Sequence, residues 1–113
     1  MSVRVVLPVI AGVLLALIVG LASSADSIPA SINHRVIISG FEFIPSQLKV
    51  SLGDTVTWVN KDIVPHNIAI NTQQKALSPE LEKDETFVFK VTNNLSYICG
   101  FHPSMKGKII IDR

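Results

Sequence analysis

The stretch 97–107 near the C-terminus limits the possible folds of this chain more than any other segment. It contains the only cysteine, Cys99, followed by His102 and Met105, so a thiol, an imidazole and a thioether recur every three residues. A helix would carry all three on one face, but Pro103 fixes its own φ and disfavours the helical conformation at His102. A straight strand would send alternate side chains to opposite faces. We therefore predict a loop that doubles back just after a strand ends.

Two glycines and a distant histidine extend this prediction. Gly100 and Gly107 bracket the loop, and we expect them to provide the backbone freedom that a sharp bend requires. One short loop alone would not be rigidly oriented by the fold, so a further ligand has to come from elsewhere, and His66 supplies it. One cysteine, two histidines and one methionine are the ligand set of a mononuclear blue-copper electron-transfer site. The predicted copper ligands are His66, Cys99, His102 and Met105.

The same residues are compatible with other uses. Cys99 could be a nucleophile activated by His102, but this needs an orienting third group and an anion-stabilising pocket, and the sequence offers no candidate for either. A zinc site is disfavoured because a thioether is an unlikely zinc ligand. Copper delivery or storage without redox turnover would use similar ligands, although four donors on a β scaffold suggest retention.

Three segments, taken in order, resemble the cupredoxin family of type 1 blue-copper proteins. They are Gly53-Asp54-Thr55-Val56-Thr57-Trp58-Val59-Asn60, Pro65-His66-Asn67 and Tyr97-x-Cys99-x-x-His102-Pro103-x-Met105-x-Gly107. The resemblance covers about residues 35 to 113 and is closest to the amicyanins and plastocyanin-like members. The amicyanins share the short Cys-x-x-His-x-x-Met loop with proline after the histidine. This chain has Gly100-Phe101 where the family usually has Thr-Pro, which leaves the ligands intact.

The resemblance implies a Greek-key barrel with copper at one end, and an electron carrier rather than an enzyme. It implies that Asn67, together with Pro65, supports the ligands by tying the His66 loop to the Cys99 loop. It also implies that His102 lies near the surface, inside a patch where a partner protein docks. The residues of that patch are Phe101, Pro103 and Ser104. Partners consistent with the resemblance are a dehydrogenase, a cytochrome or a terminal reductase.

The N-terminus has the pattern of an export segment over residues 1–25. A short cationic start ends at Arg4, residues 5–21 carry no charge, and small residues follow up to Ala25. This order is typical of a signal peptide, for which we predict cleavage after Ala25. The alternative is an uncleaved membrane anchor over residues 5–21, since a spanning helix needs about 20 apolar residues. In both cases Arg4 places the rest outside the cytoplasm, either periplasmic or membrane-anchored and facing outwards.

Residues 26–34 show little periodicity, and we expect a linker there, followed by one domain at 35–113. The chain has a formal charge of +1 and Arg4 is the only charged residue before Asp26, so residues 26–113 are formally neutral. A neutral domain without a basic stripe argues against nucleic-acid binding. One cysteine cannot form an internal disulfide, so a metal that holds its thiolate would account for a free thiol in an exported protein. We expect a monomer.

Apolar periodicity in the remaining sequence predicts strands. They cover about residues 35–39, 47–52, 55–60, 85–91, 95–99 and 108–112. Roughly seven short strands separated by turn signals predict an all-β fold, a two-sheet antiparallel Greek-key sandwich or barrel. We expect Trp58 in the core, with Phe87, Phe89 and Val91 on one face of their strand. His34 has no neighbouring donor in the sequence, and we expect it to be exposed at a strand edge.

Overall fold

The computed structural model of the protein describes residues 30–71 and 75–112. In these two ranges nine strands form two sheets, which confirms the predicted all-β sandwich. The predicted signal peptide or anchor at 1–25, and the linker up to residue 29, lie outside the described residues. None of the described residues belongs to a helix that could cross a membrane. The described residues from Ser31 onwards form one compact unit.

The strands in chain order are β1 (Asn33–Ser39), β2 (Glu42–Ile44), β3 (Gln47–Val50), β4 (Thr55–Asn60), β5 (Ala69–Ile70), β6 (Lys75–Ala76), β7 (Thr86–Lys90), β8 (Leu95–Ile98) and β9 (Lys106–Ile111). One sheet has the order β2-β1-β4-β7, and the other has the order β3-β9-β8-β5-β6. Every predicted strand occurs, with ends shifted by at most two residues. β2, β5 and β6 were not expected, because runs of two or three residues are too short to show periodicity.

Both sheets are mixed, which corrects the expectation of purely antiparallel pairing. β1 pairs with β4 in parallel, and β3 pairs with β9 in parallel. The reason is the path of the chain after the β1–β2 hairpin. β3 leaves the first sheet and joins the second, so β1 next meets β4, which runs in the same direction. Sequence periodicity shows which residues form strands, but it does not show which strands become neighbours.

Alternating side chains from both sheets fill the core. In β4, Val56 and Trp58 are fully buried, whereas Thr55 and Thr57 on the opposite face are partly exposed. Trp58 meets the ring of Tyr97 from β8 edge to face, with 5.3 Å between ring centroids. The predicted core position of Trp58 is therefore confirmed. The predicted face of β7 also lines the core, through Phe87, Phe89 and, just beyond the strand, Val91.

His34 is not the exposed, unpaired residue that we expected. Its Nε2 lies 2.8 Å from Oδ2 of Asp54, and its side chain is only 21% exposed. Asp54 also accepts the backbone N–H groups of Ile32 and Ser51, at 3.0 Å each. The bonds from Ile32, His34 and Ser51 lower the pKa of Asp54 from 3.8 to about 2. These contacts, which we call the Asp54 cluster, join the start of β1 to the turn before β4.

Candidate metal centre

Three side chains from separate parts of the chain converge beyond the far end of β4. His66 lies in the loop after β4, Cys99 directly follows β8, and His102 lies in the loop before β9. Their donor atoms are all within 4.8 Å of one another. Sγ of Cys99 is 3.6 Å from Nδ1 of His66 and 3.9 Å from Nδ1 of His102. The structure thus brings three of the four predicted ligands together.

The loop between β8 and β9 doubles back as predicted. The N–H of Met105 donates to the carbonyl of His102 at 2.9 Å, and the N–H of Cys99 donates to the carbonyl of Met105 at 3.1 Å. These bonds close the loop and bring the backbone of Met105 next to that of Cys99. Met105 is 3% exposed and Cys99 is fully buried, and both belong to the main core cluster. The fourth predicted ligand is therefore buried next to the strand that presents the cysteine.

Gly100 and Gly107 do not serve the purpose that we predicted for them. Neither has the positive φ that two other glycines of the chain adopt. A Cβ on Gly107 would overlap Cζ of Tyr97, its cross-strand partner. A Cβ on Gly100 would lie 3.1 Å from Oδ1 of Asn67. Gly107 therefore has no room for a side chain, whereas a Cβ at Gly100 would require the end of the Asn67 side chain to shift, and the loop does not depend on unusual backbone angles at either position.

Asn67 connects the two loops that carry the ligands. Its Oδ1 accepts the N–H of Gly100 at 2.6 Å, and the residue is 8% exposed. Because Asn67 follows His66 and Gly100 follows Cys99, this bond links the loops directly beside their ligands. It is the kind of contact that the family resemblance implied for Asn67. Pro65 is partly buried just before His66, and its carbonyl forms no hydrogen bond within the described residues.

Asp62 orients His66, although no motif identified it. Nε2 of His66 lies 2.9 Å from Oδ2 of Asp62. An ionised carboxylate can only accept, so Nε2 carries the proton in this bond and the lone pair of Nδ1 is left for the site. Burial raises the pKa of Asp62, but hydrogen bonds from Phe41, Gly40 and His66 outweigh it, so the pKa lies below its ordinary value. In the sequence, only the spacing of four residues between Asp62 and His66 could have indicated this contact.

Asn60 anchors the base of the His66 loop. Its fully buried side chain donates to the carbonyl of Val64 at 2.9 Å and to that of Leu81 at 2.8 Å. Its Oδ1 accepts the N–H of Asp62 at 2.8 Å. His66 forms an antiparallel bridge with Leu81 as well. The loop is therefore held at its start, at its carboxylate and at the ligand itself.

Phe41, in the turn between β1 and β2, lies against both imidazoles. Its ring centroid is 5.2 Å from that of His66 and 4.9 Å from that of His102, each in an edge-to-face arrangement at 86°. The ring centroids of the two imidazoles are 5.1 Å apart. Phe41 is far from every ligand in the sequence and belongs to no ligand motif, so no sequence pattern indicates its position beside the imidazoles.

The surface around His102 is apolar and accessible. Phe101 is 50% exposed, Pro103 and Ser104 are exposed, and His102 itself is partly exposed. Phe41, 46% exposed, extends this surface on the other side of the imidazole. A groove of ≈ 430 Å³ continues from Phe41 along β2 to the segment Ser104–Lys106.

The donor set suits a soft metal ion. A buried cysteine sulfur and two imidazoles, with a buried thioether in the same loop, match the preferences of copper, whereas a thioether is unsuited to zinc. Cys99 is the only cysteine of the chain, so no disulfide competes for its sulfur. His66, Cys99, His102 and Met105 form a type 1 copper-like site.

Comparisons with known proteins agree with this site. The profile of the copper-binding proteins of the plastocyanin/azurin family matches residues 30–112. Amicyanin-alpha of Methylorubrum extorquens is 28% identical over 103 residues, which span 86% of this chain and 86% of that protein. A plastocyanin of Synechococcus sp. is 31% identical over 122 aligned positions, covering 88% of this chain and 90% of that protein.

Solved structures extend the similarity to three dimensions. A mutant of amicyanin in the Cu(I) form superposes with a TM-score of 0.65 at 29% identity, over 71% of this chain and 82% of that one. A purple cupredoxin from Nitrosopumilus maritimus gives a TM-score of 0.61 at 30% identity, over 70% of this chain and 99% of that one. The sequence comparisons and the structural comparisons therefore point to the same family of copper-binding proteins.

Proposed function

Because the chain belongs to the plastocyanin/azurin family of copper-binding proteins, we propose that it is a one-electron carrier with a single type 1 copper ion. His66, Cys99 and His102 would be the three strong ligands, and Met105 the weak axial one. The ion would change between Cu(II) and Cu(I) without making bonds to a substrate. The observation that carries the proposal is the convergence of one donor atom each from His66, Cys99 and His102 within 4.8 Å of one another.

The contribution of the chain is to keep these ligands in one arrangement for both oxidation states. Asp62 holds the ring of His66, and the bond from Gly100 to Asn67 ties the two ligand loops together. Ligands that are locked by their own hydrogen bonds do not need to reorganise when the charge of the site changes. This rigidity suits repeated electron transfer.

Burial of the cysteine favours the carrier over a thiol enzyme. The distance of 3.9 Å between Cys99 and His102 would suit a nucleophile and its base. However, Cys99 is 0% exposed, so a substrate has no access to its sulfur. Copper delivery or storage would use the same ligands, but the bonds that tie both loops together favour retention of the metal.

We also propose where the carrier works and how it meets its partners. Partner proteins would exchange electrons through the surface around His102, formed by Phe101, Pro103 and Ser104. A dehydrogenase, a cytochrome or a terminal reductase would be suitable partners. The domain would act as a monomer outside the cytoplasm, in the periplasm or attached to the membrane through residues 5–21. Its formal neutrality makes nucleic acid an unsuitable partner.

Addition of Cu(II) to the purified metal-free protein tests the function directly. We expect the intense visible band of a thiolate-to-copper transition, and reversible one-electron reduction that removes the colour. Cys99→Ser is the control, because it removes the thiolate that produces the band. A colourless product with thiol-dependent catalytic activity would support an enzyme instead. A colourless and inactive product would refute the electron carrier.

A further inference from the structure

Phe41 adopts a backbone conformation that phenylalanine rarely takes. Its φ is +62°, and the preceding Gly40 also has a φ of +62°. Positive φ is a genuine outlier for a bulky residue, whereas glycine would adopt this turn without penalty. Strain of this kind persists only where the surroundings hold it, and it concentrates at functional sites. The turn alone therefore gives no reason for a phenylalanine at position 41.

One carboxylate holds this turn and a ligand at the same time. Oδ1 of Asp62 accepts the N–H of Gly40 at 2.8 Å, and its Oδ2 accepts the N–H of Phe41 at 2.9 Å. The same Oδ2 lies 2.9 Å from Nε2 of His66. The position of the Phe41 ring is thus coupled to that of the buried imidazole through a single side chain.

The two imidazoles differ in how they are held. His66 is fully buried and bonded through Nε2 to Asp62. His102 is partly exposed, and within residues 30–71 and 75–112 its Nε2 has no hydrogen-bond partner. Its ring contacts Sγ of Cys99, the ring of His66 and the edge-on ring of Phe41. On the solvent side, Phe41 is therefore the aromatic contact that can restrain the ring of His102.

We propose that Phe41 is a positioning residue, which fixes the orientation of the His102 imidazole so that Nδ1 faces the site. The Phe41 ring would restrain the less firmly held imidazole of His102. Asp62 would keep the Phe41 ring in a constant position relative to His66. This assignment rests on the proposed copper site for its purpose. The restraint itself is a property of the protein without metal, and can be measured there.

Nitrogen NMR of the metal-free full chain tests the restraint. Phe41→Gly removes the ring and suits the positive φ, and Phe41→Leu keeps apolar bulk without the aromatic edge, in case the glycine variant does not fold. Asp84→Gly is the matched control, since Asp84 has a φ of +70° in an exposed turn and does not contact either imidazole within the described residues. We expect the ring signals of His102 to broaden or double in both Phe41 variants, while those of His66 stay single.

Three results of this comparison would overturn the proposal. They are a single sharp set of His102 signals in the Phe41 variants, equal changes at both imidazoles, and broad His102 signals already present in the parent protein. A change of the same size in Asp84→Gly would also count against it, because strain relief alone would then explain the effect.

Electron paramagnetic resonance of the copper-loaded proteins separates this inference from the proposed function. We expect one copper spectrum in the parent and in Asp84→Gly, and a mixture of two in Phe41→Gly. A single spectrum identical to that of the parent would overturn the role of Phe41. Failure of the parent to bind copper would refute the proposed function, and the metal-free NMR comparison would still decide whether Phe41 restrains His102.

Discussion

At the scale of single residues, positions that look equivalent in the sequence have different structural requirements. Gly100 and Gly107 both flank the ligand loop, yet one faces the end of an amide side chain and the other faces an aromatic ring. Burial raises the pKa of Tyr97 to about 12, so this ring is held in its neutral form inside the core. Met105, in contrast, is expected to affect the reduction potential of the copper site more than its affinity for copper.

Gly107→Ala should strongly destabilise the protein. The new Cβ would overlap the buried ring of Tyr97, and overpacking of this kind costs about 1 to 3 kcal/mol, occasionally more. Urea unfolding of the metal-free protein measures the loss. Gly100→Ala is the control, because the end of the Asn67 side chain can shift, so its loss should be smaller. Equal losses in the two variants would contradict this explanation.

Met105→Gln should retain a coloured copper site with a lower reduction potential. A weak axial ligand affects the potential more than the affinity, and a harder oxygen donor favours Cu(II) over Cu(I). Voltammetry of the parent and the variant under the same conditions measures the difference. Complete loss of copper from the variant would show that Met105 is needed to build the site.

At the scale of elements, β4 connects two polar clusters with different tasks. At its start, the Asp54 cluster joins the first residues of β1 to the turn between β3 and β4. At its end, Asn60 and Asp62 organise the loop that presents His66. A strand of six residues spans about 20 Å, so the two clusters act independently.

The Asp54 cluster should make the free energy of unfolding depend on pH in the acid range. The folded pKa is about 2 and the ordinary value is 3.8, so the contribution of Asp54 is complete above about pH 4. It is lost as the pH falls from there towards 2, because the unfolded chain takes up the proton first. Urea midpoints between pH 2 and 6 measure this.

Asp54→Asn should unfold more easily than the parent above pH 4, and the difference between the two should shrink towards pH 2. Asp84→Asn provides a comparison at an exposed ion pair with Lys61. Parallel pH profiles for the parent and Asp54→Asn would contradict the assignment.

At the scale of the whole molecule, we expect the apolar surface around His102 and the neutral charge of residues 26–113 to govern how a partner approaches. Residues 26–113 carry no formal net charge, so long-range steering is weak. The exposed rings of Phe41 and Phe101 border the one partly exposed imidazole of the site. Encounters should therefore depend on contact between apolar surfaces.

Electron self-exchange between two copies should depend more on Phe101 than on salt. Truncation of a central apolar contact costs more than 1 kcal/mol, so Phe101→Ala should slow the exchange by roughly tenfold. NMR line broadening in mixtures of the oxidised and reduced protein gives the rate. Leu52→Ala is the control, since Leu52 is 62% exposed in the turn before β4, away from the site. A rate that follows ionic strength and ignores Phe101→Ala would refute the apolar patch.

The sequence by itself determined the ligand set, the doubled-back loop and most of the strands. Each of these depends on local spacing: Cys99, His102 and Met105 lie within seven residues, and Pro103 excludes the helical alternative. The side-chain alternation of β4 and β7 similarly depends on neighbouring residues of the same strand. Local patterns of this kind are readable without knowledge of the fold.

Only the tertiary structure decided which residues outside the ligand motifs support the ligands. Asp62 and Phe41 belong to no ligand motif, and they meet at His66 because the β1–β2 turn folds over the loop after β4. The parallel pairs, the partner of His34 and the close approach of Gly107 to Tyr97 depend equally on residues from other strands. Contacts across a sandwich are made by elements far apart in the chain, and no spacing in the sequence specifies them.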